Sequence, residues 1–173
     1  MEFKNFAIAS TLFAFLTTVA ADVVIPNGDI PFTLQSVFVL LSGLIAGANV
    51  GITSQLIYLM FGAFFPVFAG SDYGFSILAD PTAGYLFAFP VAGFIAGLLG
   101  HNQNFWKIIL AVVLAQTSLY ISGVLVLKIN SDMNWQDTIN KGFTSLALVG
   151  YTKALLTGIL YSVYLNFRKK QKA

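Results

Sequence analysis

The sequence predicts an all-α polytopic membrane protein: six transmembrane helices, both termini cytoplasmic, in a single integral membrane domain over residues 1–173. Three observations carry this reading. The first is composition, with 57% hydrophobic residues and only 9% charged, where soluble domains carry about a quarter. A soluble chain of this length could not clothe its surface with so few charges. The second is run length. A spanning helix needs about 20 apolar residues, so six of them use roughly 120 positions and leave about 50 for connections. That leaves no room for a nucleotide-binding domain or a soluble catalytic module. Runs such as Phe105–Leu127 do not alternate as barrel strands must, and only helices or closed barrels satisfy their backbone in lipid. The third observation is the placement of lysine and arginine, taken up below.

The spans are predicted near Phe6–Ala21, Phe32–Ala48, Val50–Phe68, Ala83–Leu99, Phe105–Leu127 and Phe143–Tyr164. The first resembles a secretory leader, with Lys4, an apolar run and Val19-Ala20-Ala21 before Asp22. Glu2 beside Lys4, and the membrane character of the remaining chain, favour a retained helix over a cleaved one. The second span is short, and Gly47-Ala48-Asn49-Val50-Gly51 makes a tight turn into the third. Gly43, Gly47 and Gly51, like Gly93 and Gly97, recur every fourth residue, a spacing that lets helix backbones approach closely. Such stripes serve either packing within the chain or docking of a partner; Ser10 and Ala14 form a similar patch on the first span.

With the N-terminus inside, Lys4, Lys107, Arg168, Lys169, Lys170 and Lys172 fall on the cytoplasmic side, and only Lys128 and Lys141 fall outside. The positive-inside rule therefore sets the orientation. Asp22, Asp29, Asp72, Asp80, Asp132 and Asp137 then lie at the outer side, which also holds the long connections Asp22–Pro31, Ala69–Thr82 and Asn130–Asn140. Elaboration on one face suggests that a ligand is received there. The net charge of +2 comes from a basic tail, which reads as a membrane-surface signal contacting lipid headgroups. No nucleic-acid partner is expected.

Among candidate functional residues Lys153 is the sharpest. It lies well inside the last span, where an ammonium is costly unless it meets an anion, a polar cavity or a route to the interface. It either serves a pocket or snorkels; in a pocket its natural counterpart is a carboxylate. Thr33 and Gln35 stand at the outer start of the second span, behind Pro31, a residue suited to a helix start. Gln55 is a second amide one helix later, and a buried amide can equally tie helices together. Asp80-Pro81-Thr82-Ala83-Gly84-Tyr85 enters the fourth span with capping chemistry, and as a ligand wall it offers Thr82 and Tyr85. Tyr85, Tyr120 and Tyr151 can both stack and hydrogen-bond. With no cysteine, one histidine and no clustered ligands, neither thiolate chemistry nor a metal site is expected. His101 has no nearby serine or aspartate partner, and no nucleophile is marked, so the chain does not read as an enzyme.

Pro31-Phe32-Thr33-Leu34-Gln35, then Leu59 through Pro66-Val67-Phe68-Ala69-Gly70, then Pro81-Thr82 through Tyr85 with Phe89-Pro90, occur in an order that resembles one family nearly end to end. It is the biotin-specific S component (BioY family) of energy-coupling factor vitamin transporters. The resemblance implies a substrate-binding subunit in the bacterial cell (inner) membrane, six helices and a biotin pocket open to the outer side. It implies a transmembrane coupling subunit and two ATPase subunits as partners, which some members dispense with. No cofactor is implied; biotin is the substrate. ATP hydrolysis would belong to the partner, since this chain has no phosphate-binding glycine-lysine loop. On this reading Lys153 holds the valerate carboxylate, while Gln35, Thr33, Thr82, Tyr85 and Tyr151 line or orient the rest.

The sequence departs from the family in its last span. The usual acid three residues before the lysine is Gly150 here, the preceding glycine is Val149, and the upstream Pro-Phe is Ser145-Leu146. Asp80 stands where the fourth-span motif usually has glycine, which suggests that it supplies the missing negative partner of Lys153. The alternatives are an S component for another small vitamin or carboxylated metabolite, and a non-transport membrane scaffold.

Overall fold

The computed structural model describes residues 2–25 and 32–171. The expectations resting on Asp29, Pro31 and Lys172 fall outside the described residues. The chain is all-helical apart from one small ribbon. Helix α1 (Phe3–Ala21) leads to strands β1 (Val24–Ile25) and β2 (Phe32–Thr33), which pair antiparallel with Val24 opposite Thr33. Helices α2 (Gln35–Ala46) and α3 (Ala48–Gly62) follow, then a 3₁₀ turn at Ala69–Ser71 and the short helices α4 (Phe75–Leu78) and α5 (Ala83–Phe87). Next come α6 (Phe89–Gly100), α7 (Phe105–Ile129), α8 (Trp135–Ile139), a π-helical turn (Asn140–Thr144) and α9 (Ser145–Lys170).

Four stretches among the described residues are long and apolar enough to cross a membrane: Phe3–Ala21, Ala83–Gly100, Phe105–Ile129 and Trp135–Lys170. The sequence predicts six. The second and third expected spans are the shorter α2 and α3, with 12 and 15 residues. Their ends explain the difference. Phe32 and Thr33 are extended rather than helical, so α2 starts only at Gln35. At its other end Gly47 takes φ 90°, a left-handed backbone that ends one helix and opens the next. Helix α3 stops at Gly62 because the chain doubles back there. The Phe68 ring lies against Gly62, where an added Cβ would sit 2.6 Å from its Cε2, and the Gly74 amide donates to the Gly62 carbonyl at 2.8 Å.

The glycine stripes pack inside the chain. A Cβ on Gly43 would strike the Gly93 carbonyl and come within 2.6 Å of the Gly97 amide nitrogen, and one on Gly93 would lie 2.6 Å from the Gly51 carbonyl oxygen. Helices α2, α3 and α6 thus cross backbone to backbone, as small residues permit in a membrane. On α1, Ser10, Phe13, Ala14, Thr17, Ala20 and Ala21 recur at helical spacing and face the bundle, while Ile8, Leu12, Phe15 and Val19 are exposed. Gln55 serves as a helix tie. It is fully buried, and its Nε2 donates to Thr17 Oγ1 at 3.3 Å and Ser54 Oγ at 3.1 Å.

The fourth predicted span is two helices, α5 and α6, broken at Ala88 with Pro90 in the first turn of α6, where its missing N–H costs nothing. Asn104 caps α7 by accepting from the Lys107 amide at 3.1 Å, and Asn134 caps α8 by accepting from the Asp137 amide at 2.8 Å. The ribbon, the α3–α5 connection and the α7–α8 connection gather at one end of the bundle, here termed the hairpin side.

Candidate functional site

A cavity of about 340 Å³ lies at the hairpin side. Its walls are the ribbon and the start of α2, the α3–α5 connection, the starts of α5 and α6, and facing stretches of α7 and α9. Phe68 and Phe89 supply part of the apolar wall, each packed on the buried Tyr58 ring with centroids 5.5 and 6.1 Å away.

Lys153 lines this cavity from α9 and is the one cation among its lining residues. Its Nζ donates to the Thr33 carbonyl at 2.7 Å and stands 5.8 Å from the Phe32 ring centroid. The ammonium therefore has two partial substitutes for water, a carbonyl dipole and an aromatic face, with further N–H donors in hand.

Thr33 and Gln35 also border the cavity, but their side chains are occupied. Thr33 Oγ1 donates to Gln35 Oε1 at 2.7 Å, Gln35 Nε2 donates to the Tyr58 hydroxyl, and that hydroxyl donates to the Val67 carbonyl at 3.1 Å. This chain of bonds joins β2, α2, α3 and the α3–α5 connection. It makes Gln35 a positioning residue in this structure, holding the wall rather than presenting an open amide.

Asp80 and Thr82 lie together at the rim. The Asp80 carboxylate accepts from the Thr82 amide at 2.8 Å and the Thr82 hydroxyl at 2.6 Å, an arrangement that tightens the entry into α5. Asp80 and Lys153 share the cavity without standing at ion-pair distance from each other. Tyr85 places its ring beside Gly123, where a Cβ would lie 2.6 Å from Cδ1, and its hydroxyl donates to the Gly142 carbonyl. That carbonyl belongs to the π turn, a geometry that departs from the usual helical bonding and recurs at functional sites. Tyr85 thereby fastens α5 to the head of α9.

Tyr151 is placed otherwise than expected. It stands behind the cavity wall, its hydroxyl 2.9 Å from Thr117 Oγ1 and its ring edge-on to Tyr120 at 5.4 Å. Tyr120 itself does line the cavity and donates to the Leu146 carbonyl at 3.0 Å. Three polar lining residues were not singled out from the sequence as site candidates: Ser36, Asp72 and Gln116. Gln116 is the most telling, being 4% exposed with an Oε1 that meets no partner. The signal was available, because Gln116 is the one amide within the 25 residues of this spanning helix and lies near its middle, where it raises the same question as Lys153. Among the described residues no three metal-ligating side chains gather.

The fold and this cavity define a class: a multi-pass helical membrane protein with an open-mouthed, small-molecule-sized pocket between helix ends. The BioY family model matches residues 2–170, and the chain belongs to the BioY family. It is 49% identical over 99 residues to the probable biotin transporter BioY of Pyrococcus horikoshii, a match covering 57% of this chain and 60% of that protein. It is 31% identical over an alignment of 173 positions to the probable biotin transporter BioY of Lysinibacillus sphaericus, covering 91% of this chain and 87% of that protein. In fold it is similar to the crystal structure of the S component for biotin from an ECF-type ABC transporter. That match has a TM-score of 0.83 at 19% identity, over 98% of this chain and 95% of that one.

Proposed function

We propose that the protein is a biotin-specific S component: an integral subunit of the cell membrane that captures biotin and does not catalyse a reaction. The observation that carries this is a single half-buried cation in a small cavity of mostly apolar and neutral polar residues, with Asp72 and Asp80 as its acids, in a chain of this family. Lys153 takes the valerate carboxylate, exchanging or sharing its bond to the Thr33 carbonyl. A charge-assisted bond of this kind is roughly twice as strong as a neutral one. Phe68 and Phe89 cover the apolar ring system, Thr82 and Tyr85 close the wall, and Gln35 with Thr33 holds the ribbon in register beside Lys153. Asp80 balances the ammonium at longer range. Tyr151 supports Tyr120 from behind.

Residues 1–173 act as one membrane domain with six spans, α2 and α3 being the second and third, and with the hairpin side outside. At 1.5 Å per residue α2 and α3 rise about 18 and 22 Å, short of the roughly 30 Å hydrocarbon core. Exposed Ile45, Leu56, Met60 and Phe61 nevertheless give these helices a lipid-facing surface. A transmembrane coupling subunit and two ATPase subunits supply the energy for release inside, by rocking of this subunit against them.

Titration calorimetry of the purified protein against biotin, desthiobiotin and unrelated vitamins tests the substrate, and folded protein that gives no heat with biotin overturns it. Lys153→Ala is expected to weaken biotin at least tenfold while changing the amide of biotin, which lacks the carboxylate, far less. Equal losses for both ligands would remove Lys153 from the carboxylate.

A further inference from the structure

Around the cavity one buried polar atom has no partner. Thr33, Thr82, Tyr85 and Tyr120 spend their hydroxyl donors within the protein, and Gln35 has both ends of its amide engaged, Oε1 by Thr33 and Nε2 by Tyr58. Ser36 and Asp72 make no protein hydrogen bond through their side chains but keep contact with solvent. Gln116 has neither outlet for its acceptor: it is 4% exposed, and its Oε1 is buried without a partner. A buried amide group left unpaired is costly; Ser10 Oγ and Gln55 Oε1 are also unpaired inside the bundle, but of the three only Gln116 borders a cavity that can admit a partner.

The surroundings orient this amide. The Nε2 end faces α9, where a Cβ on Gly150 would come within 3.0 Å of it and would also meet the Tyr120 hydroxyl. The Tyr120 proton goes to the Leu146 carbonyl, so the phenolic oxygen turns its lone pairs elsewhere and suits an N–H neighbour. Oε1 is thus the end left over, on a residue that lines the cavity. The last torsion of glutamine is soft, so a modest turn brings Oε1 to a ligand at little cost.

We propose that Gln116 reads the ureido ring of the substrate, its Oε1 accepting a hydrogen bond from one ring N–H. This rests on the biotin reading above and assigns the end of the ligand opposite to the carboxylate. A site that hydrogen-bonds its ligand through a buried acceptor discriminates strongly against analogues lacking the donor, because the acceptor is then stranded.

The test measures affinities of the unmodified protein and of Gln116→Met, close in volume and without the amide. The ligands are biotin, desthiobiotin and the two biotins singly methylated on a ureido nitrogen. Gln116→Met should weaken biotin and desthiobiotin alike, by about tenfold or more. It should not weaken further the one methylated form whose methyl replaces the bonded hydrogen. Unchanged biotin affinity, or the same loss for all four ligands, overturns the assignment. If Gln116→Met does not fold, Gln116→Asn withdraws the carbonyl by one methylene and keeps the polarity. Retention of the full preference for biotin over both methylated forms in that variant likewise overturns the assignment. Absence of biotin binding by the unmodified protein is a different result, and overturns the substrate reading itself.

Discussion

Gly150 shows how one residue can set the form of the pocket. A Cβ there would collide with the Tyr120 hydroxyl and crowd the Gln116 amide. The volume that a side chain at this position would take is already filled by two polar groups from α7. The resemblance to other biotin S components draws attention to the missing acid at 150, and the packing gives its physical counterpart: on this backbone an acid has no room unless Tyr120 moves. Gly150→Asp is therefore expected to impair folding or binding rather than improve it. Gly150→Ala is the cleaner experiment. Overpacking by one methyl typically costs about 1–3 kcal/mol, and Tyr120→Phe gives up a hydrogen bond worth about 0.5–1.5 kcal/mol. In the double variant the collision is relieved, so the two losses should fall short of additivity by more than about 0.5 kcal/mol. Thermal unfolding of the four proteins in detergent measures this, and strict additivity would mean the two groups do not meet.

Where Gly43, Gly51 and Gly93 cross, α2, α3 and α6 meet with no side chains between them, which makes this crossing sensitive to a single methyl. A Cβ on Gly93 lies 2.6 Å from the Gly51 carbonyl oxygen and 2.9 Å from its carbon, both backbone atoms that cannot turn aside. Gly93→Ala should lower the unfolding temperature by several degrees, at about 2–4 °C per kcal/mol for a chain of this size. Biotin affinity of the folded fraction should change less than stability does, because Gly93 is not itself a lining residue, although Phe89 one turn away is. An unchanged melting temperature would deny the close crossing. This stripe was legible from sequence as spacing, but spacing alone could not say whether the glycines met one another or a partner. Run length located the helices for a similar reason, since lipid imposes it on each segment independently. What escaped was local geometry: the break at Ala88, the extended Phe32–Thr33 and the π turn before α9. The last two lie beside distant contacts, Lys153 on Thr33 and Tyr85 on Gly142, that no sequence window contains, whereas the break at Ala88 had its local signal in Pro90. In the site, Lys153 stood out because charge is rare in such a chain. Gln116 carries the same cost of burying polarity but lies outside every quoted motif, unlike Gln35 in Pro31-Phe32-Thr33-Leu34-Gln35. The amide chosen instead, Gln35, proved to have its hydrogen bonds committed to Thr33 and Tyr58.

For the whole molecule the question is how α2 and α3 sit in the bilayer. Either they cross it, with the turn at Gly47 reaching the cytoplasm, or they dip in from the hairpin side and return, leaving that turn within the hydrocarbon. The crossing is favoured because α2 and α3 pack along α6, which belongs to a stretch of full spanning length, and because the apolar exposed faces of both helices need lipid beside them. A bilayer adapts to a short helix by local thinning at a modest cost, whereas a turn with unsatisfied backbone groups in hydrocarbon costs several kcal/mol per group. The sequence contains no cysteine, so single cysteines can be placed without a background. Asn49→Cys at the turn, and Ser76→Cys and Asp132→Cys on the hairpin side, replace exposed residues. In intact cells a membrane-impermeant maleimide should label Ser76→Cys and Asp132→Cys, and should reach Asn49→Cys only after the membrane is opened. Failure to label Asn49→Cys under both conditions would mean that α2 and α3 re-enter, and labelling of Asn49→Cys in intact cells would invert the molecule. Labelling of Ser76→Cys and Asp132→Cys in intact cells places the mouth of the Lys153 cavity where an external vitamin can enter it, and Asn49→Cys decides only whether α2 and α3 cross or invert.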